Sequence, residues 1–101
     1  MKFKIIWSSF AEKEIDEIFE FYKTEASPRI AKKIISNLIE STEILSDNPY
    51  AGQIEELLIE RIEKYRYLVH KNYKIIYSVD VENKFIKIAD VFDMLALKKE
   101  M

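Results

Sequence analysis

The sequence predicts an α+β domain in which a helical hairpin packs on one face of a small, mainly antiparallel sheet. Three observations predict it. The amino end alternates Phe3, Ile5 and Trp7 with other residues, and segments from Tyr65 onward are rich in tyrosine, valine and isoleucine, both marks of strands. Two stretches between them repeat apolar residues at helical spacing. The resulting order is strand, helix, helix, then a three-stranded meander, which segregates helices to one side of a sheet. At 101 residues the chain reads as a single domain, residues 1–101, with enough surface to bury one core unaided by staples.

Phe3, Ile5 and Trp7 alternate with Lys4, Ile6 and Ser8 to give the first strand. Ser9-Phe10-Ala11-Glu12 matches a capping box, with the Ser9 hydroxyl taking the Glu12 amide. Ala11, Ile15, Ile18 and Tyr22 then form one stripe of an amphipathic helix with an acidic outer face. Ser27-Pro28 restarts the helix, serine as cap and proline at the first helical position. Ala31, Ile34, Ile35, Leu38, Thr42 and Leu45 make the buried stripe of this second, longer helix. Asp47-Asn48-Pro49 ends it, and the chain turns at its only glycine, Gly52. From Ile54 to Glu63 a helical turn and a loop leading into a strand read equally well. Strands follow at Tyr65–Val69, Tyr73–Val79 and Phe85–Phe92.

Composition narrows the chemistry. No apolar run approaches the ~18 residues that span a bilayer, and the amino end is too short and too charged for an export signal. A cytoplasmic protein with no membrane partner is expected. There is no cysteine, so thiolate metal sites, disulfides and cysteine nucleophiles are excluded. One histidine and one glycine build neither a usual zinc site nor a phosphate-binding loop. The serines lack the surroundings of a hydrolase nucleophile. No metal and no cofactor is expected.

Charge is unevenly spread. The net charge is −2, yet Arg61, Lys64, Arg66, Lys71 and Lys74 are five of the sixteen lysines and arginines, and His70 lies among them. Such a basic hairpin points to an anionic partner, a nucleic-acid phosphate or an acidic peptide. The alternative is that these cations only keep an exposed sheet face soluble. A three-residue connection, His70 to Asn72 with Asn72 left-handed, pairs Val69 with Tyr73, Tyr67 with Ile75 and Tyr65 with Tyr77. It sets Arg66 and Lys74 together on the open face. A two-residue turn would put them on opposite faces. The first register is preferred because it segregates apolar from basic.

The order of elements, with several motifs, resembles the RelE/ParE superfamily of bacterial toxins. The motifs are Ala11-x-x-x-Ile15-x-x-Ile18 with Tyr22, Asn48-Pro49-Tyr50-Ala51-Gly52, Tyr65-Arg66-Tyr67-Leu68-Val69, Asn72-Tyr73-Lys74-Ile75-Ile76-Tyr77, and Ile88-Ala89-Asp90-Val91-Phe92-Asp93. The set is more similar to the ParE, plasmid-stabilisation branch. The resemblance implies a β-α-α-β-β-β fold and the growth-inhibiting toxin of a type II toxin–antitoxin pair, neutralised by a cognate antitoxin and acting on a target such as DNA gyrase. Arg61, Lys64, Arg66, His70 and Lys74 are then candidates for antitoxin or target acids, and Met94, Leu95 and Leu97 for apolar anchors. Met94 to Leu97 folding back onto the core is the competing reading of that tail. RelE-like members instead cut messenger RNA in the ribosome, which would cast Arg66 and Lys74 as catalytic cations. Related toxins commonly carry an arginine after the position of Asp93, where this chain has Met94-Leu95-Ala96-Leu97; losing such a cation costs about 10²–10³ in rate. A binder rather than an enzyme is therefore expected, with the ribosome-dependent endoribonuclease as the alternative. A non-toxic antitoxin-binding remnant is a further one.

Overall fold

A computed structural model describes residues 2–56 and 64–95. Its elements are β1 (Lys4–Trp7), α1 (Ser9–Glu25), α2 (Pro28–Glu40), a 3₁₀ turn (Glu43–Ser46), β2 (Gln53–Ile54), β3 (Tyr65–His70), β4 (Tyr73–Asp80) and β5 (Phe85–Asp93). The five strands form one sheet in the order β1-β5-β4-β3-β2. β1 runs parallel to β5 and every other pair is antiparallel. The expected α+β architecture is present, with one extra short strand, β2, at the edge.

Ser8, not Ser9, caps α1. Its hydroxyl accepts from the Ala11 amide at 3.0 Å and donates to the Ala89 carbonyl at 3.1 Å. The Ser8 amide also donates to Ile88 O. Pairing with β5 holds Ser8 extended, at φ −66 and ψ 159, so the helix starts one residue earlier than a capping box would place it. At α2 the expectation holds: Ser27 Oγ accepts from the Ile30 amide and Pro28 opens the helix.

The second helix is shorter than its apolar stripe. It stops at Glu40, where the Ser41 and Thr42 hydroxyls donate back to Leu38 O and Ile39 O. Hydroxyls bonding backward in this way loosen a helix end. The 3₁₀ turn then carries the stripe onward, and Thr42 and Leu45 are both buried. Ser46 fastens this turn to the first strand by exchanging bonds with Phe3.

Ala11, Leu38, Leu45, Tyr73, Ile75, Tyr77, Ile86, Ile88 and Val91 form the core between the helices and one face of the sheet. Ile15, Ile18, Tyr22 and Trp7 pack against it, in keeping with the periodicity of α1 and β1. Opposite Ile76 and Tyr77 the register of β5 jumps from Asp90 to Ile88, leaving Ala89 as the extra residue of a bulge. That bulge is where Ser8 lands. Leu57, Leu58 and Ile62, in the segment read as either a helical turn or a loop, lie outside the described residues.

The β3–β4 register differs from the preferred one. His70 pairs with Tyr73, Leu68 with Ile75, Tyr67 with Ile76 and Arg66 with Tyr77. The connection is the two-residue turn Lys71-Asn72, and Lys71, not Asn72, has the left-handed φ of 55°. A positive φ at the first turn position alone is the pattern of a type II′ turn, whose twist suits a hairpin. Asn72 is held from outside the hairpin: its Nδ2 donates to Asp93 Oδ1 at 2.7 Å, and its carbonyl accepts from the Met94 amide at 2.8 Å. The consequence for the site is direct. Arg66 shares the helix-side face with Leu68, Tyr77 and Ile75, whereas Lys74 shares the open face with Tyr67 and Val69.

Candidate functional site

Arg66 is a structural clamp. Its guanidinium donates to Gly52 O at 2.8 Å and to Tyr50 O at 3.4 Å, and lies 5.0 Å from the centroid of the Tyr50 ring. From the other side the Tyr77 hydroxyl donates to Pro49 O and accepts from the Gly52 amide, both at 2.9 Å. The turn at residues 49–52 is thus gripped by two side chains from neighbouring strands. Gly52 is required there for space: a Cβ would stand 2.6 Å from both Tyr67 O and Tyr77 Oη. Burial pushes the Tyr77 phenol up, and the Gly52 amide and Arg66 charge pull it partly back. The hydroxyl therefore stays protonated and works as a hydrogen-bond relay.

Lys74 is caged on the open face. Its ammonium contacts Glu55 Oε2 at 2.5 Å, with side-chain exposures of 18% for Lys74 and 7% for Glu55. It also sits 4.3 Å from the centroid of the Tyr67 ring, a cation–π contact. Tyr67 is held in place by its hydroxyl, which donates to Gln53 Oε1 at 2.9 Å. Glu55 follows β2 directly, and its amide donates to Tyr65 O. Sequence inspection missed Glu55 and Tyr67 because both belong to the cage only through the pairing of β2 with β3, and a two-residue strand leaves no periodic signal.

The remaining candidates are dispersed. Lys64 is exposed and lines, with Tyr50, Arg66, Asp80, Glu82 and Lys87, a cleft of about 720 Å³ at one end of the sheet. The cations there face comparable negative charge, and Lys87 lies 3.6 Å from Asp80. His70 lies at the far end of β3, paired with Tyr73. Met94 is half-buried against the hairpin turn, and Leu95 is exposed, its amide donating to Asp93 Oδ1. Arg61 and Leu97 lie outside the described residues. The expected convergence of Arg66 and Lys74 is therefore absent, and each already has partners. Among the described residues no group of acids and histidine is placed to hold a metal ion.

Near the turn, the Tyr73 hydroxyl reaches that of Tyr22 at 3.3 Å. Burial and this contact hold the Tyr73 phenol far above its ordinary value, so it cannot serve as a base near neutrality. On β5 burial pushes the Asp90 carboxyl up, opposed by the Val91 amide. One Asp90 oxygen has no hydrogen-bond partner among the described residues.

Comparison with known proteins agrees with this framework. Similar solved structures include the chromosomal ParDE toxin–antitoxin system of P. aeruginosa, at TM-score 0.73 and 20% identity over 91% of this chain and 96% of that one. Another is the RelBE2 toxin–antitoxin complex of Mycobacterium tuberculosis, at TM-score 0.64 and 16% identity over 92% of each chain. These likenesses are of fold. No curated protein matches the sequence. A family model described as the ParE toxin of the type II toxin–antitoxin system, parDE, matches residues 5–94. That span runs from β1 to the end of β5 and takes in the clamped turn and the caged lysine: the chain belongs to the ParE toxin family of type II toxin–antitoxin systems.

Proposed function

We propose that this toxin acts by binding a macromolecular target, DNA gyrase being the first candidate, and that a cognate antitoxin neutralises it by covering the open face of the sheet and the tail beyond β5. The observation that carries the reading is the β3–β4 register. Cleaving RNA by attack of its own 2′-hydroxyl needs cations that converge on one phosphate, beside acid–base groups within hydrogen-bond reach. Here Arg66 and Lys74 stand on opposite faces, and both are engaged. Met94 and Leu95 follow Asp93 where a further cation would be needed. Leu95 at 52% exposure and Val69 at 55% supply apolar surface suited to an antitoxin segment that folds on binding.

The test has two arms. Purified protein at micromolar concentration is expected to inhibit supercoiling by gyrase. Its induction in cells lacking the antitoxin is expected to stop growth while ribosome-bound messages gain no new 5′ ends. New ends on translated messages would establish the endoribonuclease instead. Unimpaired growth at high soluble yield would leave only the antitoxin-binding remnant.

A further inference from the structure

Lys74 carries an internal occupant. The geometry points to Glu55 as a built-in competitor: it fills the carboxylate position on Lys74 that an acidic residue of a partner protein takes on binding, so the partner must displace the toxin's own glutamate. The inference rests on the antitoxin reading above for the identity of the natural partner, but its chemistry stands on the cage alone.

Four features carry it. First, the pair is substantially withdrawn from water, with Lys74 at 18% and Glu55 at 7% exposure. A lysine so placed accepts a new anion only in exchange for the old one, because a second carboxylate beside Glu55 would be repelled. Second, Glu55 is held by a weak element. β2 has two residues, paired Gln53 with Tyr67 and Ile54 with Arg66, and the Glu55 amide beyond it donates to Tyr65 O. Among the described strands β2 forms the outer edge of the sheet, so the Glu55 side chain can rotate away from Lys74 while the clamped turn before β2 stays in place. Third, Lys74 is anchored inside the sheet. It lies on β4, flanked on both sides by β3 and β5, with Tyr67 stacked beside it. A fixed cation opposite a displaceable anion makes an exchange site. Fourth, the face suits a protein acid better than a nucleic acid. On it Lys74 is paired with Glu55 and Lys87 with Asp80, while Arg66 is committed to the other face. A phosphate backbone is held by several cations acting together. A single carboxylate needs one.

Exchange of one glutamate for another leaves the charge balance of the site unchanged, so the contact adds selectivity more than affinity. A partner with an acid at the right place repairs the pair it breaks. One without it leaves Glu55 in place.

The experiment titrates hexaglutamate into the full chain and follows the backbone amide resonances of β3 and β4 by NMR, for the wild type, Glu55→Gln and the swapped double variant Glu55→Lys with Lys74→Glu. Glu55→Gln, which keeps the shape and removes the competing charge, is expected to bind the peptide about tenfold more tightly, the change that about 1.4 kcal/mol produces. The swapped variant restores an ion pair with reversed polarity. It is expected to unfold cooperatively yet show no peptide-dependent shift, a loss that a merely structural pair would not produce. Equal affinities for wild type and Glu55→Gln, with both folded, would overturn the proposal. So would a gain confined to a single-stranded oligonucleotide, which would assign the site to nucleic acid. Failure of the antitoxin reading is distinguishable: the protein encoded by the adjoining reading frame would then bind no variant, while the peptide result stood.

Discussion

At the scale of single residues, the informative contacts are those that a chemist would first mistake for functional groups. Arg66 has the charge of a phosphate ligand, yet it spends its donors on two backbone carbonyls. Tyr77 has a phenol in the middle of a sheet, yet the hydroxyl bridges Pro49 O and the Gly52 amide. Removing it leaves a buried donor without an acceptor, which costs about 1–3 kcal/mol. Tyr77→Phe is accordingly expected to lower the urea midpoint by that amount with little change in m-value. Asp90 gives a pH-dependent counterpart. Its folded pKa is raised above the ordinary 3.8 by burial, so folding favours the protonated form. The neutral acid carries no penalty below about pH 4, and the folded state loses stability as pH rises through the raised value. Asp90→Asn should therefore be more stable than the parent at pH 7, and the advantage should vanish as unfolding curves are repeated toward pH 3. A constant advantage at every pH would contradict this account.

Elements show where local sequence is decisive and where it is not. Ser27-Pro28 announces its helix unaided, because cap and first residue are both local features. The start of α1 is different. Ser8 and Ser9 are equally plausible caps by sequence, and the Glu12 that follows Ser9 favours the wrong one. The choice is made by β5, whose Ile88 and Ala89 carbonyls hold Ser8 in place. Ser8→Ala is expected to cost about 1–2 kcal/mol in a thermal or denaturant melt, and Ser9→Ala close to nothing. The hairpin register has the same character. Tyrosine and aliphatic residues alternate so evenly through β3 and β4 that either register presents a reasonable buried face. Segregating basic from apolar residues favoured the three-residue loop. The two-residue turn is favoured by contacts no local pattern reveals: Asp93 holding Asn72, and carbonyls of the 49–52 turn waiting for Arg66 on the helix side. The positions of β1, β3, β4 and β5 are legible to within a residue or two; β2 and the β3–β4 register are not.

For the molecule as a whole, the fold and family were readable from the order of elements and from motifs spread along nearly the entire chain. The site was readable only in part. Lys74 stands out in the sequence as a cation of the hairpin, but its cage depends on Glu55, which follows the separate short strand β2. Charge at a distance in sequence is what periodicity cannot rank. The sheet order also has a consequence in time. β1 is the first strand to be made, and its only partner, β5, is the last of the described strands. The sheet cannot close over β1 until β5 has been made, since such long-range pairing must wait for its far end. The sheet around Lys74, with β4 held between β3 and β5, is therefore complete only after β5 has been made. Until β5 arrives, a partner already present meets the earlier segments without their closed sheet.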